Sequence, residues 1–127
     1  MRNINHISYY IVADLYILLF DATTTHPLAH GRSGFYFGEN GEHTLYSISQ
    51  TIAQILFEMG KGRSPVPTTF NEEETRRYFP GGTSLGSNSR CRAERSREVG
   101  WRPRKGTEDM LRSIGPEVQA LVKTLDI

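Results

Sequence analysis

Leu45, Ile48, Ile52, Ile55, Leu56 and Met59 form one apolar stripe at helical spacing, with Thr44 before it and Gly60 after it. Thr44 is a good N-cap, because its hydroxyl can accept from a free amide of the first turn. Gly60 suits the left-handed position that ends a helix. No other segment commits the chain so firmly to one element, and it commits it to packing through helices. By contrast, Gly34-Phe35-Tyr36-Phe37, closed by Glu39-Asn40-Gly41, reads as a short aromatic strand. A single short strand makes no stable sheet, so this one implies neighbours that the chain does not supply.

The remaining elements follow from the same signals. Ile11, Leu15, Leu18 and Leu19 predict an amphipathic helix from Ile11 to about Ala22. Ala22 to Gly34, with its threonines, histidines and Pro27, reads as a loop. Asn71 with Glu74 three residues on predicts a capping box for a short helix that stops before Pro80. Ser89 is expected to cap a helix running to Val99, closed by Gly100, and a brief strand is expected near Leu85. Thr107 is expected to cap a helix with Glu108 and Asp109 in its first turn. Gly115-Pro116 should restart it, since proline suits a first helical position. Val118, Leu121, Val122 and Leu125 are expected to give the last helix its buried face.

With 127 residues, the chain has room for one domain. The net charge of +1 gives no global pull toward nucleic acid or an anionic membrane. One cysteine, Cys91, forms no intrachain disulfide, and there is no Asn-x-Ser/Thr acceptor. Both fit a reducing, cytoplasmic setting. The apolar run Ile7–Phe20 contains Asp14 and falls short of the roughly 20 residues that cross a bilayer. It reads as a buried helix rather than a span or a signal.

Several motifs invite chemistry and do not carry it. Gly82-Thr83-Ser84-Leu85-Gly86 matches the nucleophile-elbow pattern, which requires a buried strand before the serine and a histidine after it. Here Arg76 to Gly81 precedes it, and His6, His26, His30 and His43 all lie upstream. Gly31-x-x-Gly34-x-x-x-Gly38 follows a loop and opens into the aromatic segment, so no helix terminus would meet a dinucleotide. Gly60-Lys61-Gly62 lacks phosphate-loop spacing. His26 and His30 have helical spacing for zinc, but Pro27 argues against a helix, and no third ligand is near. No metal ligand set is assigned. Arg90, Arg92, Arg95, Arg97, Arg102, Arg104 and Lys105 form a basic cluster, yet on a helix they spread over opposite sides instead of one stripe. Arg90, after Ser87-Asn88-Ser89, is placed to meet an anion.

The segments Val12-Ala13-Asp14-Leu15-Tyr16 with Leu18-Leu19, Phe35 to Glu42, Gly86 to Ala93, and Val99-Gly100-Trp101-Arg102-Pro103 together resemble a family pattern. They are similar to the C-terminal part of the extended short-chain dehydrogenases/reductases, the NAD-dependent epimerase/dehydratase family, and to its fungal nucleoside-diphosphate-sugar-epimerase-like branch in particular. The resemblance implies a helix-rich α/β fold with an incomplete sheet. Residues 1–34 would be the last edge of a Rossmann-type part, and 35–127 a substrate-binding lobe, together one partial domain. The family's glycine fingerprint and its Tyr-x-x-x-Lys pair have no counterpart, and Ser8-Tyr9-Tyr10-Ile11 stands where the family has His-x-Asp-Asp. Both missing motifs belong upstream of Met1 in the family order. The expectation is therefore a substrate-side portion of an NAD(P)-dependent oxidoreductase or epimerase, inactive alone. It would have no catalytic or cofactor residues of its own, while NAD or NADP serves the intact enzyme.

By position in that pattern, Asn88, Arg90, Tyr36 and His43 are the expected contacts to a small substrate, nucleotide-sugar-like or carbonyl-bearing. The plainer roles are a cap or turn for Asn88 and a core position for Tyr36. Two other classes stay open: an interaction or regulatory module that binds a full-length, Rossmann-containing homologue, and a nucleic-acid binder using Arg90–Lys105.

Overall fold

The computed structural model describes residues 4–5, 9–82 and 88–125. In chain order it has β1 (Ile4–Asn5), α1 (Tyr9–Thr25), a 3-10 turn (Gly31–Ser33), β2 (Glu42–His43), α2 (Leu45–Glu58), α3 (Glu72–Tyr78), α4 (Glu94–Glu98) and α5 (Thr107–Leu125). The chain is helix-rich, and its strand content among the described residues is the two-residue β1–β2 ladder and an isolated bridge at Ser89. No helix among them is long and apolar enough to cross a membrane.

Local chemistry sets the helix ends. Thr44 accepts from the Ser47 amide at 3.0 Å while Ser47 Oγ accepts from the Thr44 amide at 3.2 Å, a reciprocal cap with serine in the place usual for Glu or Gln. Asn71 and Glu74 form the expected capping box, each bond at 2.9 Å. At the other end of α2, Gly60 takes a φ of +70°. The Lys61 amide then reaches Leu56 O and the Gly60 amide reaches Phe57 O, which is the Schellman pattern. Gly100, at φ +107°, repeats it: the Trp101 amide bonds Ser96 O and the Gly100 amide bonds Arg97 O.

Four elements depart from the sequence expectations. Helix α1 continues past Ala22 to Thr25, because Thr23, Thr24 and Thr25 each return their hydroxyl to a carbonyl three residues back. Residues 34–37 pair with no strand and are not a β-strand. The helix expected from Ser89 spans only Glu94–Glu98, with Ala93 at its N-cap. Finally, α5 runs through Gly115-Pro116 without a restart. It begins from Gly106, whose carbonyl accepts from Met110 and whose amide donates to Asp109 at 3.0 Å, so Thr107 is its first residue rather than its cap. The strand expected near Leu85 lies outside the described residues.

The chain divides into two compact units, each built from non-contiguous segments. Unit 1 comprises Met1–Ile4, His43–Ser89 and Leu111–Ile127. Its α2 stripe from Ile48 to Met59 is half-buried; on α5 Val122 is buried and Val118 half-buried, whereas Leu121 and Leu125, expected on the same buried face, are exposed. Phe70 packs its ring at 5.8 Å from Tyr78 and 5.6 Å from Phe79, at the two ends of a turn that α3 closes. Unit 2 comprises Asn5–Glu42 and Arg90–Met110. Its core is Leu15, Ala93 and Trp101, with Leu18 and Leu19 packed against them. Trp101 reaches that core because the left-handed Gly100 reverses the chain immediately before it. Part of α1 stays open: Tyr16, beside the Leu15–Leu19 face, and Ile17 and Phe20 further round are exposed, although all three are apolar or aromatic.

Candidate functional site

A cleft of ligand size lies within unit 2. Val12, Leu15, Tyr16 and Leu19 line one side of it, spaced i, i+3, i+4 and i+7, and therefore on one face of α1. Gly34, Tyr36 and Gly38 line the other. Every second residue of 34–38 thus faces the cleft, while the intervening Phe35 and Phe37 are exposed. The two-residue period expected of a strand survives here without a partner strand. Its volume is about 380 Å³, within the range that small-molecule pockets occupy.

Gly34 lets the backbone of the second wall pass close to that of His30 just before Tyr36. A Cβ at Gly34 would stand 2.7 Å from the His30 Cα, a backbone atom that cannot swing aside. Tyr36 itself is fixed by its hydroxyl, which donates to Ala29 O at 3.2 Å.

Segment 37–42, which continues the glycine wall, is held by residues more than fifty positions away. Ser96 is fully buried and donates from Oγ to Phe37 O at 2.7 Å. Arg97 donates to Glu39 O at 3.2 Å and pairs with the Glu39 carboxylate at 3.5 Å, with its guanidinium 5.7 Å from the Trp101 ring centroid. Glu39 folds back to accept from the Gly41 amide at 3.0 Å. Asn40 Nδ2 donates to Lys105 O at 2.6 Å, and the Thr107 hydroxyl donates to Glu42 O at 3.0 Å. In the sequence Ser96 carries no signal, Glu39 and Asn40 only that of the Glu39-Asn40-Gly41 turn, and Arg97 only its place in the basic cluster.

The four expected contacts scatter. Tyr36 lines the cleft. Arg90 belongs to the same unit but is exposed and forms an ion pair with Glu42, which raises its pKa through the hydrogen bond and the carboxylate charge. It does not line the cleft. Asn88 and His43 fall in unit 1. Asn88 is exposed, with neighbours outside the described residues, and His43 has its pKa lowered by burial. Cys91 is half-buried, and burial together with the Glu39 charge pushes its thiol pKa up, away from nucleophilic use.

The basic cluster is largely engaged within unit 2. Besides Arg90 and Arg97, Arg92 pairs with Glu94 at 3.5 Å, and Arg102 donates to the carbonyls of Arg97 and Trp101 at 2.6 and 3.0 Å. Of the paired histidines, His26 bonds the Thr25 hydroxyl and His30 precedes the 3-10 turn. Among the described residues, no group of three or more His, Cys, Asp or Glu side chains gathers to hold a metal ion. Thr83 to Gly86, most of the elbow-like motif, lie outside the described residues.

Compared with protein-family models, curated proteins and solved structures, the chain matches none.

Proposed function

We propose that this chain is a substrate-binding portion of an NAD(P)-dependent oxidoreductase or epimerase of the extended short-chain dehydrogenase type. On this reading it holds substrate and leaves the dinucleotide and the proton-exchanging Tyr/Lys pair to another polypeptide segment. The observation that carries it is the cleft: the segments that resemble the family, residues 12–19 and 35–42, supply or adjoin both of its walls. A cleft with two tyrosines and, among the described residues, no tyrosine–lysine pair can bind but has no means of transferring a proton or hydride unaided. The incomplete α/β sheet, the Rossmann-type edge at 1–34, the lobe at 35–127 and a cytoplasmic setting belong to the same proposal.

The exposed Tyr16, Ile17 and Phe20 on α1 favour a second reading, in which the chain docks on a Rossmann-containing homologue without forming an active pair. One experiment separates the two. The purified chain is mixed with the isolated dinucleotide-binding half of an extended dehydrogenase, and reduction of the nicotinamide is followed by absorbance over a panel of alcohols and sugars. Recovered hydride transfer supports the enzyme reading. Complex formation by size exclusion without turnover supports docking alone.

A further inference from the structure

The lining of the cleft restricts the charge of what it can take. Its side chains among the described residues are two leucines, a valine and two tyrosines, so the polar side-chain atoms among them are phenolic oxygens. No cation among the described residues lines it. Arg90, Arg92, Arg97 and Arg102 of the same unit are engaged by carboxylates or carbonyls. Arg32, in the turn beside Gly34, is exposed and is not a lining residue. The charges adjoining the lining in sequence are acidic, Asp14 on α1 and Glu39 after Gly38. A phosphate placed here would lose water without gaining a counter-charge.

Tyr36 adds a direction to the polar contact. Its hydroxyl proton is used on Ala29 O, so its oxygen is left to accept. We propose that the ligand of this cleft is an uncharged, largely apolar compound that donates a hydroxyl to Tyr36, and not a nucleoside diphosphate or other phosphate ester. This rests on the reading of the cleft as a substrate site, and it narrows the substrate class from nucleotide sugars to neutral hydroxy compounds.

Three probes that share one ring system test it: 2-naphthol, 2-methylnaphthalene and 2-naphthyl phosphate, each titrated into the full chain and followed by saturation-transfer NMR at low salt. 2-Naphthol should bind saturably, and the phosphate ester at least roughly tenfold more weakly. Tyr36→Phe should weaken 2-naphthol by roughly three- to tenfold, the worth of one hydrogen bond, and leave 2-methylnaphthalene unchanged. A variant that had merely lost its fold would lose both, and Trp101 fluorescence reports that directly. Equal or tighter binding of the phosphate ester overturns the proposal, as does absence of saturable 2-naphthol binding.

The two proposals fail differently. Hydride transfer regained with a dinucleotide-binding half, but only on phosphorylated substrates, overturns the charge class and keeps the enzyme reading. Selective 2-naphthol binding with no transfer in any pairing keeps the charge class and overturns the enzyme reading.

Discussion

Replacing Ser96 with alanine tests whether the wall of the cleft is held as described. Ser96 has no exposed surface, and its hydroxyl donates at 2.7 Å to a carbonyl 59 residues earlier, that of Phe37. Losing a hydrogen bond of this kind costs about 0.5–1.5 kcal/mol net, and more where the acceptor is left buried. Alanine returns up to about 0.5 kcal/mol through its better helix propensity in α4. The expected net loss is therefore about 1–2 kcal/mol. With a urea m-value of roughly 1–1.5 kcal/mol/M for a small domain, the midpoint should fall by about 1 M. Trp101 is the single tryptophan and lies in the same unit's core, so its fluorescence in a urea titration reads the change where it occurs. Ser49→Ala, the same chemical change at an exposed position of α2, supplies the comparison and should leave the midpoint level or slightly raised. If Ser96→Ala shifts the midpoint no more than Ser49→Ala does, the anchoring of residues 37–42 by α4 is refuted.

Two further outcomes follow from backbone geometry and from burial. Gly100→Ala meets no neighbour within 4 Å, so its cost is the strain of φ +107°, about 1–2 kcal/mol, partly offset by a stiffer unfolded chain. Gly81→Ala, at ordinary φ and also in open space, should be neutral or mildly stabilising, and equal midpoints for the two would show that Gly100 needs no left-handed backbone. For His43, burial lowers the folded-state pKa below 6.5, so the unfolded chain takes up the proton first as pH falls. Its contribution is thus full above pH 6.5 and is lost as pH falls below it. His43→Gln should flatten that part of the midpoint-against-pH curve, and an unchanged slope would show that His43 is not the group responsible.

Much of the helical framework was legible in the sequence because it is set by bonds that close within a few residues. Thr44, Asn71, Gly60 and Gly100 each fix a helix end through contacts three to five positions away, and any chain with those residues at that spacing has the same options. Where the sequence reading slipped, a local signal lost to a stronger one. The threonine run after Ala22 looked like loop composition but extends α1 by hydroxyl-to-carbonyl bonds. Ser89 had the chemistry of a cap, yet the helix starts only at Glu94. Pro116 looked like a helix start, yet α5 passes through it in one piece.

The cleft mixes both kinds of information. The sequence by itself determined its two walls: the α1 face from Val12 to Leu19 follows from a period of 3.6, and the alternation from Gly34 to Gly38 from a period of two. Tyr36, Arg90, Asn88 and His43 are all expected contacts by position in the family-like pattern, and only Tyr36 lines the cleft, because nothing local says which carboxylate or which unit a side chain will meet. Only the tertiary structure decided that Arg90 is spent on Glu42, and that the glycine wall is tied to Ser96, Arg97 and Lys105. Those contacts join positions 48 to 65 residues apart, and no pattern along the chain encodes a pairing over that distance. They form because burying Trp101 against Leu15 brings the two segments of unit 2 together, and the polar groups then pair with whatever that packing places beside them.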